Sequence, residues 1–376
     1  MEKYIFMLGQ SAELAKEELI SFLGSVENSG PSFALATSPK KPAELIKNLG
    51  GTIKIAQYID TIDDLSPLFD IWLANINIES GKTNFGFSLY NDKKNYPAIK
   101  KISMAIKKDL KSQGHKCRFV SSREPILSSV IVTKNNLINN ELLIIRNNNQ
   151  YIIGITRAVQ DFASYGLRDM ERPNRDDKSG LLPPKIAQIM LNLAGPDRQK
   201  NILDPFCGSG TILQEAALLG FNQIYGSDIS KKAISDSQAN LDWLAKKFAI
   251  KINYEIRKSD INNLSENFKN NSIDLIVTEP FMGDARQVSR AYKISDLKNI
   301  QTELQKLYHK SFLEFKKILK PGGVVIFIFP EFVIKNDSLK TLDEYIIANI
   351  GFRLNKNLVY FRPDQKVRRQ ITVWHL

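Results

Sequence analysis

Cysteine, histidine and long apolar runs are scarce in this chain of 376 residues. The two cysteines, Cys117 and Cys207, are too few for a disulfide framework and predict a reducing, cytoplasmic compartment. The three histidines are scattered without metal-ligand spacing, so we expect no metal. No apolar run approaches the length of a membrane span, and the start lacks a signal-peptide core. The sequence therefore predicts a protein without a membrane partner.

The chain is basic, with a formal net charge of +12. Basic proteins of this size often bind nucleic acid, because clustered cations release counterions from phosphates. Between residues 95 and 123, eight Lys and Arg residues stand against one acid, Asp109. A helix predicted in this segment has one apolar face and one basic face, which suits a phosphate backbone, although a solvated surface helix gives the same pattern. The predicted RNA-contacting lysines are Lys100, Lys101, Lys107, Lys108 and Lys111.

The stretch from residue 201 to 220 lacks the marks of two common phosphate-binding loops. An apolar strand ends at Asp204, and Gly208 and Gly210 form a turn before a helix. A dinucleotide fingerprint needs a third glycine where Leu213 stands, and a P-loop needs a lysine directly after its last glycine. The remaining pattern, Asp-Pro-Phe-Cys-Gly-Ser-Gly-Thr, resembles the first motif of S-adenosylmethionine (SAM)-dependent methyltransferases that act on amino groups. A plain connection between strand and helix remains an alternative.

Alternating strand and helix patterns predict three domains and a linker. Residues 1–62 are expected to form a ferredoxin-like α+β domain. Residues 63–162 resemble a THUMP domain, an RNA-binding module of tRNA-modifying proteins. Residues 163–182 form a polar linker, and residues 183–376 alternate as a doubly wound, mostly parallel α/β sheet should. Strands of the THUMP-like segment are predicted at 84–90, 128–132, 141–145 and 151–156.

The junction before the last domain carries the longest resemblance. It reads R-D-x-x-R-P-x-R-D from Arg168, followed by S-G-L-L-P-P-K-I-A-Q-I-M from Ser179. This order resembles the region before the catalytic domain in THUMP-containing tRNA guanine-N2 methyltransferases, which modify guanosine 10. The resemblance implies a Rossmann-like class I methyltransferase domain that uses SAM, with tRNA as partner. We expect Arg168 and Arg172 to contact RNA, and a small activating protein subunit remains an open possibility.

The resemblance assigns cofactor binding to successive strand ends. Asp228 takes the position of the ribose-binding acid, where a carboxylate can accept both hydroxyls, and Ile229 would lie against adenine. Asp260 falls where the third motif meets the adenine amino group, although an aspartate after a strand is also a common helix cap. Asp204 would lie near the amino group of the methionine portion. The full predicted set is Pro183, Asp204, Phe206, Gly208, Gly210, Asp228, Ile229 and Asp260.

The segment Glu279-Pro280-Phe281-Met282-Gly283 lies along the family's Asp-Pro-Pro-Tyr-Gly pattern. By resemblance, Glu279 and the Pro280 carbonyl accept the two hydrogens of a guanine's exocyclic amine, so that its lone pair turns toward the methyl group. Phe281 and Met282 replace the second proline and the tyrosine, so stacking on the flipped base falls to Phe281 or to the thioether of Met282. The sequence thus predicts a tRNA methyltransferase that forms N2-methylguanosine, at position 10 above others.

Two alternatives remain open because the Glu-Pro-Phe-Met box departs from the family pattern. One is a methyltransferase that acts on another RNA guanine N2 or on an adenine N6 in rRNA or DNA. The other is a catalytically inactive RNA-binding protein that keeps a SAM-binding fold.

Overall fold

The computed structural model describes residues 1–76, 78, 81–175, 182–291, 293–362 and 365–376, without the side chains of 285–287. Residues 176–181 of the predicted linker therefore lie outside the described residues. The chain divides into two compact units, Met1–Ala163 and Ser164–Leu376. In the described part, no helix combines the length and apolar character of a membrane span.

The first unit contains one eight-stranded sheet with helices packed against it. Its strands are β1 (Glu2–Leu8), β2 (Asn28–Ser29), β3 (Phe33–Ser38), β4 (Thr52–Ile62), β5 (Lys82–Tyr90), β6 (Lys116–Val120), β7 (Glu141–Asn147) and β8 (Gln150–Val159). Its helices are α1 (Ala12–Leu23), α2 (Pro42–Asn48), α3 (Leu68–Asn75), α4 (Tyr96–Ser112) and α5 (Ser129–Lys134). The strand order is β2-β3-β1-β4-β8-β7-β5-β6.

The predicted ferredoxin-like and THUMP-like segments share this sheet. β4, which ends at the predicted boundary, pairs antiparallel with β8 from Lys54↔Val159 to Ile62↔Tyr151. The register of this pairing shifts between Ile55 and Ala56 and between Tyr58 and Asp60, and Ile55 and Ala56 are fully buried. The two segments therefore form one compact unit, and their assignment to two separate domain types stays a prediction.

The strand predicted at residues 128–132 is wrong, because this segment begins helix α5. The run Val130-Ile131-Val132 is β-branched and favours a strand by propensity alone. Ser128, however, caps the helix, since its side chain accepts a hydrogen bond from the backbone nitrogen of Ile131 at 3.3 Å. Only Val132 of this run is fully buried, which matches one helical face rather than a strand.

The second unit is a doubly wound sheet of seven main strands. Its strands are β9 (Asn201–Asp204), β10 (Gln223–Asp228), β11 (Tyr254–Lys258), β12 (Ile273–Thr278), β13 (Leu319–Ile334), β14 (Asp337–Lys340), β15 (Arg353–Tyr360) and β16 (Val367–His375). Its helices are α6 (Phe162–Met170), α7 (Pro184–Leu193), α8 (Thr211–Leu218), α9 (Lys231–Phe248), α10 (Leu264–Asn267), α11 (Ala285–Arg290), α12 (Lys298–Ile318) and α13 (Glu344–Ile350).

The strand order of this second sheet is β11-β10-β9-β12-β13-β16-β15, with β14 paired to β13. Neighbours from β11 to β13 run parallel, whereas β16 is antiparallel to both β13 and β15. The mostly parallel α/β sheet predicted for the C-terminal part is therefore confirmed. The order reverses between β9 and β12, and an open α/β sheet binds its ligands beyond the carboxyl ends of strands at such a point.

An aromatic core fixes the position of β13 beside β12. Tyr308 and Phe312 of α12 pack against Phe327 and Phe329 of β13, with ring centroids 5.1 to 6.2 Å apart. All four rings are buried, and burial of each such side chain contributes on the order of 2 kcal/mol. This packing holds the end of β13 in a fixed position beside the end of β12.

Candidate active site

Four acids stand at or just beyond the carboxyl ends of neighbouring parallel strands. Asp204 ends β9 and Asp228 ends β10, while Asp260 follows β11 and Glu279 directly follows β12. Parallel strands end at the same edge of a sheet, so the fold gathers residues that are far apart in sequence. The sequence predicted all four positions, and the structure brings them to one edge.

The glycine turn after β9 is built as a backbone loop with an open outer face. Gly208 and Gly210 have φ angles of +50° and +83°, in the left-handed region that favours glycine. The backbone nitrogen of Gly208 donates to Oδ2 of Asp228 at 3.1 Å, which fastens the turn to β10. A Cβ on Gly208 would meet no described atom within 4 Å, whereas one on Gly210 would lie 3.0 Å from Ser237 Oγ. Gly208 thus offers free space for a ligand, and Gly210 permits close packing on α9.

Asp228 and Ile229 form an acceptor beside an apolar surface. Oδ1 of Asp228 accepts a hydrogen bond from the backbone nitrogen of Ser230 at 2.8 Å. Ile229 is 63% exposed, unusual for an isoleucine beside a strand end. Asp260 differs, because its Oδ1 accepts from the backbone and side-chain nitrogens of Asn262 at 2.9 and 2.8 Å. The capping role left open by the sequence is therefore present, and the adenine contact of Asp260 stays a prediction.

Asp204 is a buried acid that joins β9 to β12. It is 2% exposed, and its Oδ1 accepts hydrogen bonds from Thr278 Oγ1 at 2.7 Å and from the Phe206 backbone nitrogen at 3.1 Å. Burial, together with the negative charges of Asp228 and Glu279, raises the pKa of Asp204 to about 7, and the hydrogen bonds from Thr278 and Phe206 oppose this shift. Thr278 had no role in the sequence prediction, because nothing in its neighbourhood shows that it faces Asp204 across the sheet.

Glu279 is held by an arginine of β16. Nε of Arg369, on β16, donates to Oε1 of Glu279 at 2.6 Å, and the two side chains are only 8% and 13% exposed. Burial raises the pKa of Glu279, and the positive charge of Arg369 opposes that shift. No local signal identifies this partner, because the two residues lie 90 positions apart and β16 shows no regular alternation of buried and exposed residues.

The rest of the box presents one aromatic ring to solvent. Phe281 is 58% exposed, and Met282 is half-buried. The hydroxyl of the buried Tyr308 donates to the carbonyl oxygen of Phe281 at 2.8 Å, which fixes the backbone of the segment. Pro183, the predicted cofactor residue upstream, precedes α7, and its carbonyl accepts from the backbone nitrogen of Ile186 at 2.9 Å.

Arg168 and Arg172 are buried, which corrects their prediction as RNA contacts. Arg168 of α6 donates from Nε and Nη2 to the two carboxylate oxygens of Glu215 on α8, at 2.7 and 3.2 Å. Nη1 of Arg172 donates to Thr211 Oγ1 at 2.6 Å. The two arginines are 6% and 4% exposed. These hydrogen bonds hold the linker against the start and the middle of α8. Because both guanidinium groups are buried, a phosphate cannot reach them.

The basic helix of the first unit has the predicted two-faced character. Ile99, Ile106 and Leu110 of α4 are fully buried. On the opposite face Lys100, Lys101, Lys108 and Lys111 are exposed, and Lys107 is half-buried. Burial confirms the amphipathic helix and leaves the RNA contact of these lysines a prediction.

Known proteins match both the domain and the fold. The family model of UPF0020, described as an RMKL-like methyltransferase domain, matches residues 172–341. The chain is 27% identical over 177 residues to a tRNA (guanine(10)-N2)-dimethyltransferase of Pyrococcus abyssi, which covers 47% of each protein. The chain thus spans about half the length of that relative.

Solved structures extend the likeness in fold to nearly the whole chain. TrmN of Thermus thermophilus matches with a TM-score of 0.55 over 99% of both chains, at 16% identity. SMU.472, a putative methyltransferase solved in complex with SAH, matches with a TM-score of 0.50 over 98% of this chain and 97% of its own, at 14% identity.

The sheet order, the glycine turn and the strand-end acids have the arrangement of a class I methyltransferase domain, and residues 172–341 are similar to a methyltransferase family model. The predicted fold is therefore confirmed, and the similarity supports the predicted enzyme class and cofactor. More particularly, the chain is similar to the tRNA guanine-N2 methyltransferases, as the junction and the catalytic box predicted.

Proposed function

We propose that this protein methylates the exocyclic amine of a guanine in tRNA to give N2-methylguanosine, with guanosine 10 as the target. The observation that carries the proposal is the Glu279-Pro280-Phe281 segment at the end of β12, beside the point where the strand order reverses. It combines a buried acceptor with an exposed aromatic ring. The name of the Pyrococcus abyssi relative supports the choice of tRNA and of position 10.

The strand ends fit SAM by their chemistry. When bound, SAM supplies an electrophilic methyl group on a sulfonium sulfur. Asp228 would accept the ribose hydroxyls, and the exposed Ile229 would pack against the adenine ring. The open face of Gly208 would admit the methionine portion, whose cationic amino group suits the carboxylate of Asp204. Pro183 and Phe206 complete the predicted lining.

The box residues would prepare the guanine. Glu279 accepts one N2 hydrogen and the Pro280 carbonyl the other, so the nitrogen lone pair points at the methyl carbon. The N2 nitrogen would take the methyl group that bound SAM supplies, the electron pair of the broken S–CH₃ bond would stay with the sulfur, and Glu279 or water would accept the proton that N2 loses. Phe281, with its ring exposed and its carbonyl fixed by Tyr308, would stack on the flipped base.

The first unit would bind the body of the tRNA, and the lysine side chains of α4 would contact its phosphates. Its assignment as ferredoxin-like and THUMP-like segments belongs to this proposal.

We also place the protein in the cytoplasm, where tRNA is modified, because Cys117 and Cys207 are free, buried thiols that suit a reducing compartment. A small activating subunit remains compatible with these features.

The test is methylation of an unmodified tRNA transcript with methyl-labelled SAM, followed by nucleoside mass spectrometry and mapping. We expect N2-methylguanosine at position 10, and no label in a transcript with adenosine at that position. Glu279→Gln should bind SAM normally yet lose at least about 100-fold in kcat. Glu303→Gln, an exposed acid on α12, is the matched control and should stay active. A methylated adenine, or a fully active Glu279 variant, would contradict the proposal.

A further inference from the structure

Arg369 lies on a part of the sheet that extends past the end of β12. Thr278, the last residue of β12, is in register with Phe327 of β13. β13 continues to Ile334 and pairs with β16 from Val324 to Phe332, so that Arg369 stands opposite Pro330. The two longer strands therefore form a wall beside the strand-end segment that carries Glu279. From this wall the guanidinium of Arg369 reaches Glu279.

The surroundings of Glu279 make a cation at this position necessary for a charged carboxylate. Burial raises the pKa of Glu279, and burial together with the charge of Glu279 raises the pKa values of Asp204 and Tyr308. A buried carboxylate without a partner takes up a proton rather than stay charged. Among the described side chains, Arg369 is a cation within hydrogen-bond distance of this carboxylate.

We propose that Arg369 is a positioning residue that binds Oε1 of Glu279, keeps the carboxylate ionised and leaves Oε2 to accept a hydrogen of the substrate amine. This inference rests on the proposed function, since it assigns Glu279 to the amine. A carboxylate has lone pairs on both oxygens, so one bond to arginine leaves acceptor capacity on the other. Glutamate has one more rotatable bond than the aspartate of the family pattern, and the bond to Arg369 removes that freedom.

The first experiment compares Arg369→Gln and Arg369→Lys across pH. In Arg369→Gln, we expect kcat near pH 7 to fall at least about tenfold, with the KM for SAM unchanged. The acidic limb of the kcat profile should move up by about 1–3 pH units, so activity recovers at high pH. Arg369→Lys keeps the charge and should restore part of the rate. Arg368→Gln removes the same charge from the adjacent residue, whose guanidinium lies over the Phe361 ring at 5.5 Å, and should behave as wild type.

A second readout needs no turnover. In protein labelled at the glutamate carboxyl carbon, an NMR titration assigned with Glu279→Gln gives the pKa of Glu279 directly. We expect a higher pKa of Glu279 in Arg369→Gln than in the wild type, and an intermediate one in Arg369→Lys.

An unchanged pKa overturns the proposal, as does a pH-independent loss of kcat that lysine does not rescue. If the wild type makes no N2-methylguanosine, the proposed function fails while the titration still decides whether Arg369 sets the charge of Glu279. If Arg369→Gln does not fold, the lysine variant decides by the same titration.

Discussion

Gly208 and Asp228, twenty residues apart, are joined by a hydrogen bond of 3.1 Å from the glycine nitrogen to Oδ2 of the aspartate. The other oxygen of Asp228 accepts from the backbone nitrogen of Ser230 at 2.8 Å. One carboxylate therefore fixes the turn after β9 and the loop after β10. Both oxygens retain lone pairs for a ligand, since a carboxylate offers about four acceptor sites.

Asp228→Ala should weaken SAM binding at least about 100-fold, because two charge-assisted hydrogen bonds to ribose would be lost at about 1.5–3 kcal/mol each. Asp228→Asn keeps an oxygen for Gly208 and should preserve the turn while it still weakens binding. Titration calorimetry measures both affinities. Asp242→Asn, which changes an exposed acid bonded to Tyr254, is the control. SAM affinity that is unchanged in Asp228→Ala would remove Asp228 from the cofactor site.

Asp204 should make the stability of the apo protein fall as pH rises. Its pKa is about 7 in the folded protein against an ordinary value of 3.8, so between these pH values the folded state keeps a proton that the unfolded state has released. The associated stability is complete below about pH 4 and lost as pH rises to about 7, by up to about 4 kcal/mol for three pKa units. Asp204→Asn should therefore unfold at a higher urea concentration than wild type at pH 8, and the difference should become smaller as pH falls towards 4. The same pH dependence in both proteins would contradict this.

Sequence patterns identified the residues at the strand ends because a parallel α/β sheet repeats a local rule. Each buried apolar run ends in an acid, and the fold brings such ends to one edge. Asp204, Asp228 and Glu279 could thus be placed from spacing and resemblance before any contact was known. The glycine turn could also be predicted from the sequence, because Gly208 and Gly210 adopt positive φ angles that other residues avoid.

The partners of these residues could not be predicted, because they depend on which side chains face each other across strands and helices. Arg369 and Glu279 meet over an extension of β13 and β16 whose length has no mark in the sequence. Arg168 was misplaced for a related reason. An arginine in a polar connector suggests the surface, whereas the buried Glu215 on α8 is visible only once the connector has folded as α6.

The Arg168–Glu215 pair should be structural. Arg168→Met leaves the buried Glu215 without its cation, which typically costs about 3–5 kcal/mol of folding stability. Burial raises the pKa of Glu215 while Arg168 lowers it, so the loss should be greater at pH 8 than at pH 5, where the acid can take up a proton. Urea unfolding at both pH values measures this, and the double variant Arg168→Met/Glu215→Met should recover most of the stability. If the single variant is fully stable but binds tRNA weakly, Arg168 would return to the RNA surface.

Phe281, rather than Met282, should carry the stacking on the flipped base, because its ring is 58% exposed. Base stacking on an aromatic side chain contributes about 1–3 kcal/mol, so Phe281→Ala should lower kcat/KM for tRNA by roughly 5- to 150-fold. Phe281→Tyr keeps the ring and should remain within a few-fold of wild type. Leu313→Ala changes another exposed apolar residue, 42% exposed and near the end of α12, and controls for loss of surface area. A larger loss in Met282→Ala than in Phe281→Ala would assign the stacking to the thioether.

The exposed lysines of α4 should supply the salt-dependent part of tRNA affinity. Lys101→Glu/Lys108→Glu reverses two charges on the outer face and leaves the buried face with Ile99 and Ile106 intact. Each lost phosphate contact reduces the slope of log K against log salt by about 0.7–0.9, so the double variant should bind more weakly and with a slope shallower by about 1.5. Filter binding between about 50 and 300 mM salt, where counterion release dominates, measures both the affinity and its salt dependence.

Lys246→Glu/Lys247→Glu makes the same charge change at the end of α9 and should alter affinity much less. Equal effects of the two pairs would mean that net charge alone attracts the RNA, and an unchanged slope in both would place the phosphate contacts on another surface.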